Sequence, residues 1–401
     1  MVVLEVAGIP QKFKEEEMVN FRRCVGRSRR KARGGKCLPR SRAEAVEFLE
    51  EELISRSAKG SNLIKKVFRG DMEKNKGDIV MLATDSSLRL LETDDYQVFG
   101  DGTFRYCPKF FHQLYTIHVF KDGYYVPVAY FLLNGQLFDI YKEMFEMLKP
   151  YGRLSVMTLD FENSTILAFK HVFPNSAVRG CRFHLAQAWQ KKFREMGFQK
   201  QYNSRKGKIA LFLKSLFGMP CLPANEVSEF FREVLTKNAP PQLKPFMTYL
   251  KKMYMMPNST HPPHIWADVG HTNLKNTTNG CENFHRHFKD WFLSPKPNMY
   301  IFLSNLQLLD IQFGIRANSS RTVAPDECAQ YIKQAWQKVT EGDLTRYQFI
   351  ELCANLTQPI PPKSQRGTRK SKKVIKTLRK KLVTDLFRRR SRRLRSLTPL
   401  M

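Results

Sequence analysis

Residues 96–133 read YQVFGDGTFRYCPKFFHQLYTIHVFKDGYYVPVAYFLL, and three runs within them decide the fold. YQVFGDGTF, LYTIHVF and YYVPVAYFLL are rich in the aromatic and β-branched residues that suit a pleated, half-buried surface. Between the last two stands Lys121-Asp122-Gly123. Asp-Gly between alternating hydrophobics is a strong hairpin signal, so three adjacent antiparallel strands are expected.

Working outward, FDIYKEMFEMLKPYG places Ile140, Met144, Met147 and Leu148 on one helical face and is closed by Pro150 and Gly152. RLSVMTLD reads as a buried strand that ends on an acid. STILAFKHVF, stopped by Pro174, is a short helix; SAVRGC is strand-like, and a long helix begins near Phe183. Strands that alternate with helices in this way give a mixed α/β sheet packed by helices. Upstream, AEAVEFLEEELISRS is one amphipathic helix. From Ser204 to about Thr260 the chain is helical and broken at Pro220, Pro223 and Pro240-Pro241, an all-helical block interrupting the sheet. Thr278 to Phe292 is a further helix, and Met299 to Ile315 is apolar with helical spacing.

The chain of 401 residues carries 67 Lys and Arg against 37 Asp and Glu, a net charge of +30, so its natural partner is a polyanion, nucleic acid first. Ten Lys or Arg lie between Phe21 and Arg42, around Arg29, Arg30 and Lys31, which reads as a flexible basic arm. Between Lys363 and Arg395 sixteen basic residues meet one acid, Asp385. That tail, with Lys372, Lys373, Lys380, Lys381, Arg388, Arg389 and Arg390, is expected to stay unfolded alone. Both ends suit phosphate contact or nuclear import, and neither gives base specificity. No run reaches the ~18 apolar residues of a membrane span, and MVVLEVAGIPQKFKEEE has no secretory pattern, so neither membrane insertion nor export is expected. Eight scattered cysteines read as reduced intracellular thiols.

Asp101 and Asp160 each stand at the end of an expected strand, where two carboxylates can converge on one metal pair; strand-end acids also commonly start turns or cap helices. On the helix from Thr278, Cys281, Phe284, Phe288 and Trp291 form an apolar face, with Glu282, His285 and Lys289 as an adjoining polar stripe. Glu282 can thus border the core, or simply favour the helix dipole near its N-terminus. Cys181 and His184, in GCRFHLAQAW, form a Cys-x-x-His pair. Zinc would need two more ligands from His261, His264 and His271, and no second close cysteine pair supports it. A Cys-His nucleophile lacks an apparent orienting Asn or Asp, and a buried structural pair is the plain alternative.

In order and wording, DGTFRYCPKFFHQLYTIH, LDFENS, GCRFH and TTNGCENFHRHF resemble the transposase domain of Mutator-like elements (MULE), over about Asp95 to Phe292. The resemblance implies a ribonuclease H-like fold, an all-helical insertion before the last acid, and a DDE triad on two divalent ions, Mg²⁺ or Mn²⁺. Carried over by motif, the triad is Asp101, Asp160 and Glu282. Two metal ions about 3.5 to 4 Å apart activate the attacking oxygen and steady the leaving one in phosphodiester displacement. Hard carboxylate oxygens with retained waters are what Mg²⁺ prefers.

MULE and hAT transposases also carry a Cys or Asp, two spacers and a His between the second and third acids, where Cys181 and His184 lie, so this pair joins the active-site neighbourhood. Glu162 is read there as a helix-start residue or an outer carboxylate, Asn279 as a helix-start residue, and His285 and Arg286 as phosphate or base contacts or as an ordinary polar face.

The domains expected are a basic arm at 1–42, a helical or mixed region at 43–94 and the first part of the catalytic core at 95–200. A helical insertion at 201–275, the helix of the third acid at 276–293, a helical region at 294–357 and a basic tail at 358–401 follow. The implied activity is phosphodiester hydrolysis and 3′-OH strand transfer at transposon ends. The partners are double-stranded DNA and further copies of the chain assembled on it, with no membrane and no small-molecule substrate, in the nucleus. The alternative is a DNA-binding nuclear protein derived from such an enzyme and lacking catalysis. No zinc-binding DNA-recognition module of the kind common in this family is visible.

Overall fold

The hairpin at Asp122-Gly123 sets the sheet. Asp122 has φ 47° and Gly123 φ 83°, the positive pair of the tight turn whose twist matches that of its flanking strands. This computed structural model describes residues 2–6, 9–13, 27, 37–57, 63–68, 78–93, 96–204, 207–268, 279–292, 294–317 and 327–357. Of these, the side chains of 2–6, 9–13, 56–57, 63–68, 279, 282, 315–317, 327–328 and 355–357 are outside the description.

The strands are β1 (Val2–Val6), β2 (Ile9–Phe13), β3 (Leu63–Phe68), β4 (Ile79–Thr84), β5 (Gln97–Thr103), β6 (Gln113–Lys121), β7 (Tyr124–Leu133), β8 (Val156–Leu159) and β9 (Ala177–Gly180). β1 and β2 pair with each other, and the other seven form one sheet in the order β3-β4-β7-β6-β5-β8-β9. Pairing is antiparallel from β3 to β5 and parallel from β5 through β8 to β9. Parallel neighbours need a crossover, which α2 (Asn163–Val172) supplies between β8 and β9. α1 (Phe138–Glu146) precedes β8 and packs against α2 through Phe145 and Phe169, 5.3 Å apart edge to face.

The expected strands and helices of residues 96–195 are present. One boundary moves. β3 and β4 come from the region expected to be helical or mixed, yet they extend the sheet, with all six residues of β4 buried. IVMLAT has no alternation because both its faces are covered, which hides a strand from a period-two reading. Residues 2–6 and 9–13, expected within a flexible arm, form the β1-β2 pair. Apart from Arg27, residues 14–36 lie outside the described residues, as does 358–401. Arg29, Arg30, Lys31, Lys372, Lys373, Lys380, Lys381, Arg388, Arg389 and Arg390 therefore lie outside them too.

α3 (Arg182–Glu195) leads from β9 into a helical block over 208–266 that includes a 3-10 stretch at Leu216–Cys221 and π turns at Phe231–Leu235 and Lys251–Met255. Trp189 of α3 is buried there, edge to face with Tyr254 at 5.8 Å and with Trp266 at 5.9 Å. A side chain on Gly218 would meet the Ile350 carbonyl oxygen at 1.8 Å, so the 3-10 stretch touches the backbone of the helix Arg346–Thr357 directly. α4 (Asn279–Phe288) returns to the sheet, with Cys281, Phe284 and Phe288 buried as expected, and the helix Met299–Ala317 follows. No helix among the described residues is long and apolar enough to cross a membrane.

Candidate active site

The parallel register of β5 and β8 brings two acids together. Val98 pairs with Met157 and Phe99 with Thr158; the same register two residues on sets Asp101 beside Asp160. Neighbouring strands lie about 4.8 Å apart, so two carboxylates meet at the same end of the sheet. The glycines flanking Asp101 answer to the opposite face. A side chain on Gly100 would strike Tyr115 Oη at 2.6 Å, and one on Gly102 would overlap the Gln113 amide at 1.9 Å.

Asp101 is 5% exposed, and its Oδ1 accepts a hydrogen bond from Gly102 N at 3.0 Å. Asp160 follows β8 directly. Burial pushes its carboxyl up to about 6, against a favourable effect of His184 and with Asp101 adding like charge. Its Oδ1 is buried with no hydrogen-bond partner among the described residues. A buried carboxylate oxygen beside a second carboxylate is costly unless a proton or cation joins it. The oxygens present are hard donors, so the pair fits a divalent ion such as Mg²⁺.

Glu162 starts α2 as expected, and its backbone carbonyl accepts from Ile166 N at 3.1 Å. Its side chain turns elsewhere: the Tyr141 hydroxyl donates to Oε2 at 2.9 Å, and Gln136 Nε2 stands 3.4 Å from each oxygen. Burial raises the Glu162 carboxyl above its ordinary value, and the charge of Asp160 adds to this. Tyr141 also faces Gln113 Oε1 at 3.0 Å. The fully buried phenol of Tyr115 is held neutral first by burial, then by Asp160.

His285 joins the helix to the strand. Its Nδ1 lies 3.1 Å from Asp101 Oδ2, and its Nε2 lies 2.9 Å from Thr116 Oγ1. Thr116 donates to the Asp101 carbonyl at 3.2 Å and is 3.0 Å from His118 Nε2. His118 is fully buried, and burial first, then His285, holds it well below its ordinary value, hence neutral. A hydroxyl has one proton, so while Thr116 gives it to the Asp101 carbonyl its oxygen accepts from the imidazoles. His285, one of the residues of the expected active-site neighbourhood, lies inside as a partner of Asp101. Arg286 is exposed and donates to Asn283 Oδ1 on its own helix.

Cys181 is buried, with its backbone N donating to Leu159 O at 2.7 Å, and it starts α3. The same turn brings His184 within electrostatic reach of Asp160. Between them, Arg182 points into the helical block and donates to Cys221 Sγ at 3.2 Å. His261, considered for zinc, is buried against Phe161 at 5.1 Å, and His271 lies outside the described residues. Among the described residues no group of three or more His, Cys, Asp and Glu side chains forms a metal-holding cluster. The side chains of Glu282 and Asn279 are outside the description; their backbones lie in α4.

Thr116, His118, Tyr115, Tyr141 and Gln113 escaped the sequence reading. The available signal was polar Thr116 and His118 at alternate places in LYTIHVF, on one face of a strand otherwise read as core.

Residues 97–188 match the family model of the MULE transposase domain. No curated protein matches the chain.

Proposed function

We propose, from a chain that carries a MULE transposase domain over residues 97–188, that it is the catalytic region of a DNA transposase whose triad is Asp101, Asp160 and Glu282. The observation that carries this reading is that Asp101, within β5, and Asp160, just past the adjacent parallel strand β8, lie near enough to interact as like charges, with a buried, unpartnered oxygen on the second acid. The strand sequence β7-β6-β5-β8-β9, three antiparallel strands followed by two parallel, supports reading the core as ribonuclease H-like. The block over 208–266 then serves as the helical insertion before the third acid. Glu282 lies three residues before His285 on α4, and residues three apart share a helix face, so the Asp101–His285 bond supports placing that backbone beside the acids.

Asp101, Asp160 and Glu282 would hold two divalent ions, Mg²⁺ or Mn²⁺. When bound, these ions supply charge neutralisation at the phosphate and activation of the attacking water or 3′-hydroxyl. The chain itself does the rest. His285 fixes the Asp101 carboxylate, and Thr116 fixes His285 and the Asp101 carbonyl; Tyr141 and Gln136 fix Glu162 as an outer carboxylate behind Asp160. Cys181 and His184 belong to the same neighbourhood, with His184 lowering the charge cost of Asp160. The basic ends hold DNA by its phosphates, copies of the chain assemble on that DNA, and the site of action is the nucleus.

The test is strand cleavage of DNA bearing the element's terminal inverted repeats, with Mg²⁺ or Mn²⁺, wild type beside Asp160→Asn. Cleavage that requires the metal and disappears in the variant supports the assignment. Metal-dependent cleavage that survives the substitution removes it. DNA binding without cleavage in the wild type points instead to a transposase-derived binding protein.

A further inference from the structure

Beyond Asp101, β5 runs into a loop fastened from several sides. Lys296 N donates to Arg105 O at 2.9 Å, Lys109 N to Pro297 O at 3.3 Å, and His112 N to Leu133 O at 2.8 Å. The Lys296 ammonium reaches Phe111 O at 3.2 Å, and Arg42 Nε reaches Phe110 O at 3.2 Å. Cys107 and Phe111 are buried beneath, and Tyr106 stacks on Phe292 at 5.9 Å. The loop is therefore a rigid platform, and its outward residues are set by the backbone.

Those outward residues are Phe104, Arg105, Lys109 and His112. Phe104 is 43% exposed, although Phe ordinarily seeks the core. His112 meets it edge to face at 5.3 Å and 72°, which steadies the ring while it stays exposed. A single exposed aromatic is ordinary on a protein surface. Here, however, the ring shares its fastened loop with two exposed cations, Arg105 lying over the Tyr106 ring at 5.8 Å and Lys109 over the Phe110 ring at 5.0 Å, and it follows Asp101 by three residues. Consecutive Cα atoms are about 3.8 Å apart, so it lies within about 11 Å of the first acid, the reach of the nucleotides next to a phosphate held there.

We propose that Phe104 is a stacking platform for an unpaired nucleobase beside the scissile phosphate, with Arg105 and Lys109 on the flanking phosphates. This rests on the nucleic-acid reading above and adds a demand on the substrate. In an intact duplex both faces of a base are covered by its neighbours, so an exposed ring on a rigid loop finds a partner only where pairing is broken. Aromatic stacking tolerates any base, since each has a π face, and the cations need only phosphate. The site therefore selects DNA structure near the cut rather than sequence.

The experiment measures binding of the full chain, by fluorescence anisotropy in Ca²⁺ to suppress cleavage. It compares a fully paired duplex with the same duplex carrying one nucleotide opposite an abasic position. Wild type should favour the unpaired form about tenfold, the scale of one stacked base. Phe104→Ala should remove that preference and leave paired-duplex affinity unchanged, which also shows that it folds; Phe104→Trp should keep it. Equal affinity of wild type for both duplexes, or a preference that survives Phe104→Ala, overturns the stacking site. Binding to neither duplex overturns the nucleic-acid reading, and with it this one. Loss of cleavage activity bears only on the catalytic assignment, since the binding comparison does not depend on it.

Discussion

His285 Nδ1 lies 3.1 Å from Asp101 Oδ2, which ties the helix carrying Glu282 to the strand carrying the first acid. The two residues are 11% and 8% exposed in their side chains, so water screens the contact little. The same bond holds α4 down on the sheet.

Removing that tie should harm chemistry more than DNA binding. His285→Ala is expected to lower the cleavage rate about 10- to 100-fold, the usual effect of losing an outer partner of a metal ligand. Affinity for duplex DNA should stay the same. Thr116→Val, which removes the hydroxyl on which His285, His118 and the Asp101 carbonyl converge, should act in the same direction. Unchanged cleavage rates in both variants would show that the network is structural only.

Asp160 gives a dependence on pH. Its carboxyl has an ordinary value of 3.8 and is raised to about 6, chiefly by burial. A carboxyl raised on folding costs nothing below about pH 4, where it is neutral in both states, and its penalty grows as pH rises through 6. The metal-free chain should therefore lose stability between about pH 4 and 6, by up to about 3 kcal/mol. Asp160→Asn should flatten this part of a melting-temperature profile, and Mg²⁺ should raise the wild-type melting temperature at pH 7. A profile that Asp160→Asn leaves unchanged would contradict the burial of this charge.

Trp189 anchors the helical block to α3 through Tyr254, Phe217 and Trp266. Trp189→Ala should cost about 3 to 5 kcal/mol, measured by denaturant unfolding. A loss under 1 kcal/mol would mean that the block folds without this anchor.

Much of this arrangement was legible in the sequence, and the limits have physical causes. Asp122-Gly123 and the flanking β-rich runs determine the hairpin locally, and an acid just after VMTL can be seen without a structure. The convergence of Asp101 on Asp160 could not be read from either motif, because it depends on the parallel register of β5 and β8. β4 was hidden because burial on both faces removes alternation. His285 was assigned to a polar stripe because helical periodicity says which residues share a face; it does not say that a buried Asp and Thr wait opposite. The third acid came from motif wording, and its helix position is what the Asp101–His285 contact supports.

The most direct measurement compares divalent-metal-dependent strand cleavage by the wild type with Glu282→Gln, at matched DNA affinity. The placement of α4 against β5 predicts that removing this one charge lowers cleavage by about a thousandfold or more while the DNA remains bound, as expected when a residue acts in the chemical step. Cleavage at the wild-type rate by Glu282→Gln would contradict the triad and return Asp101 and Asp160 to an acid pair without an assigned third partner.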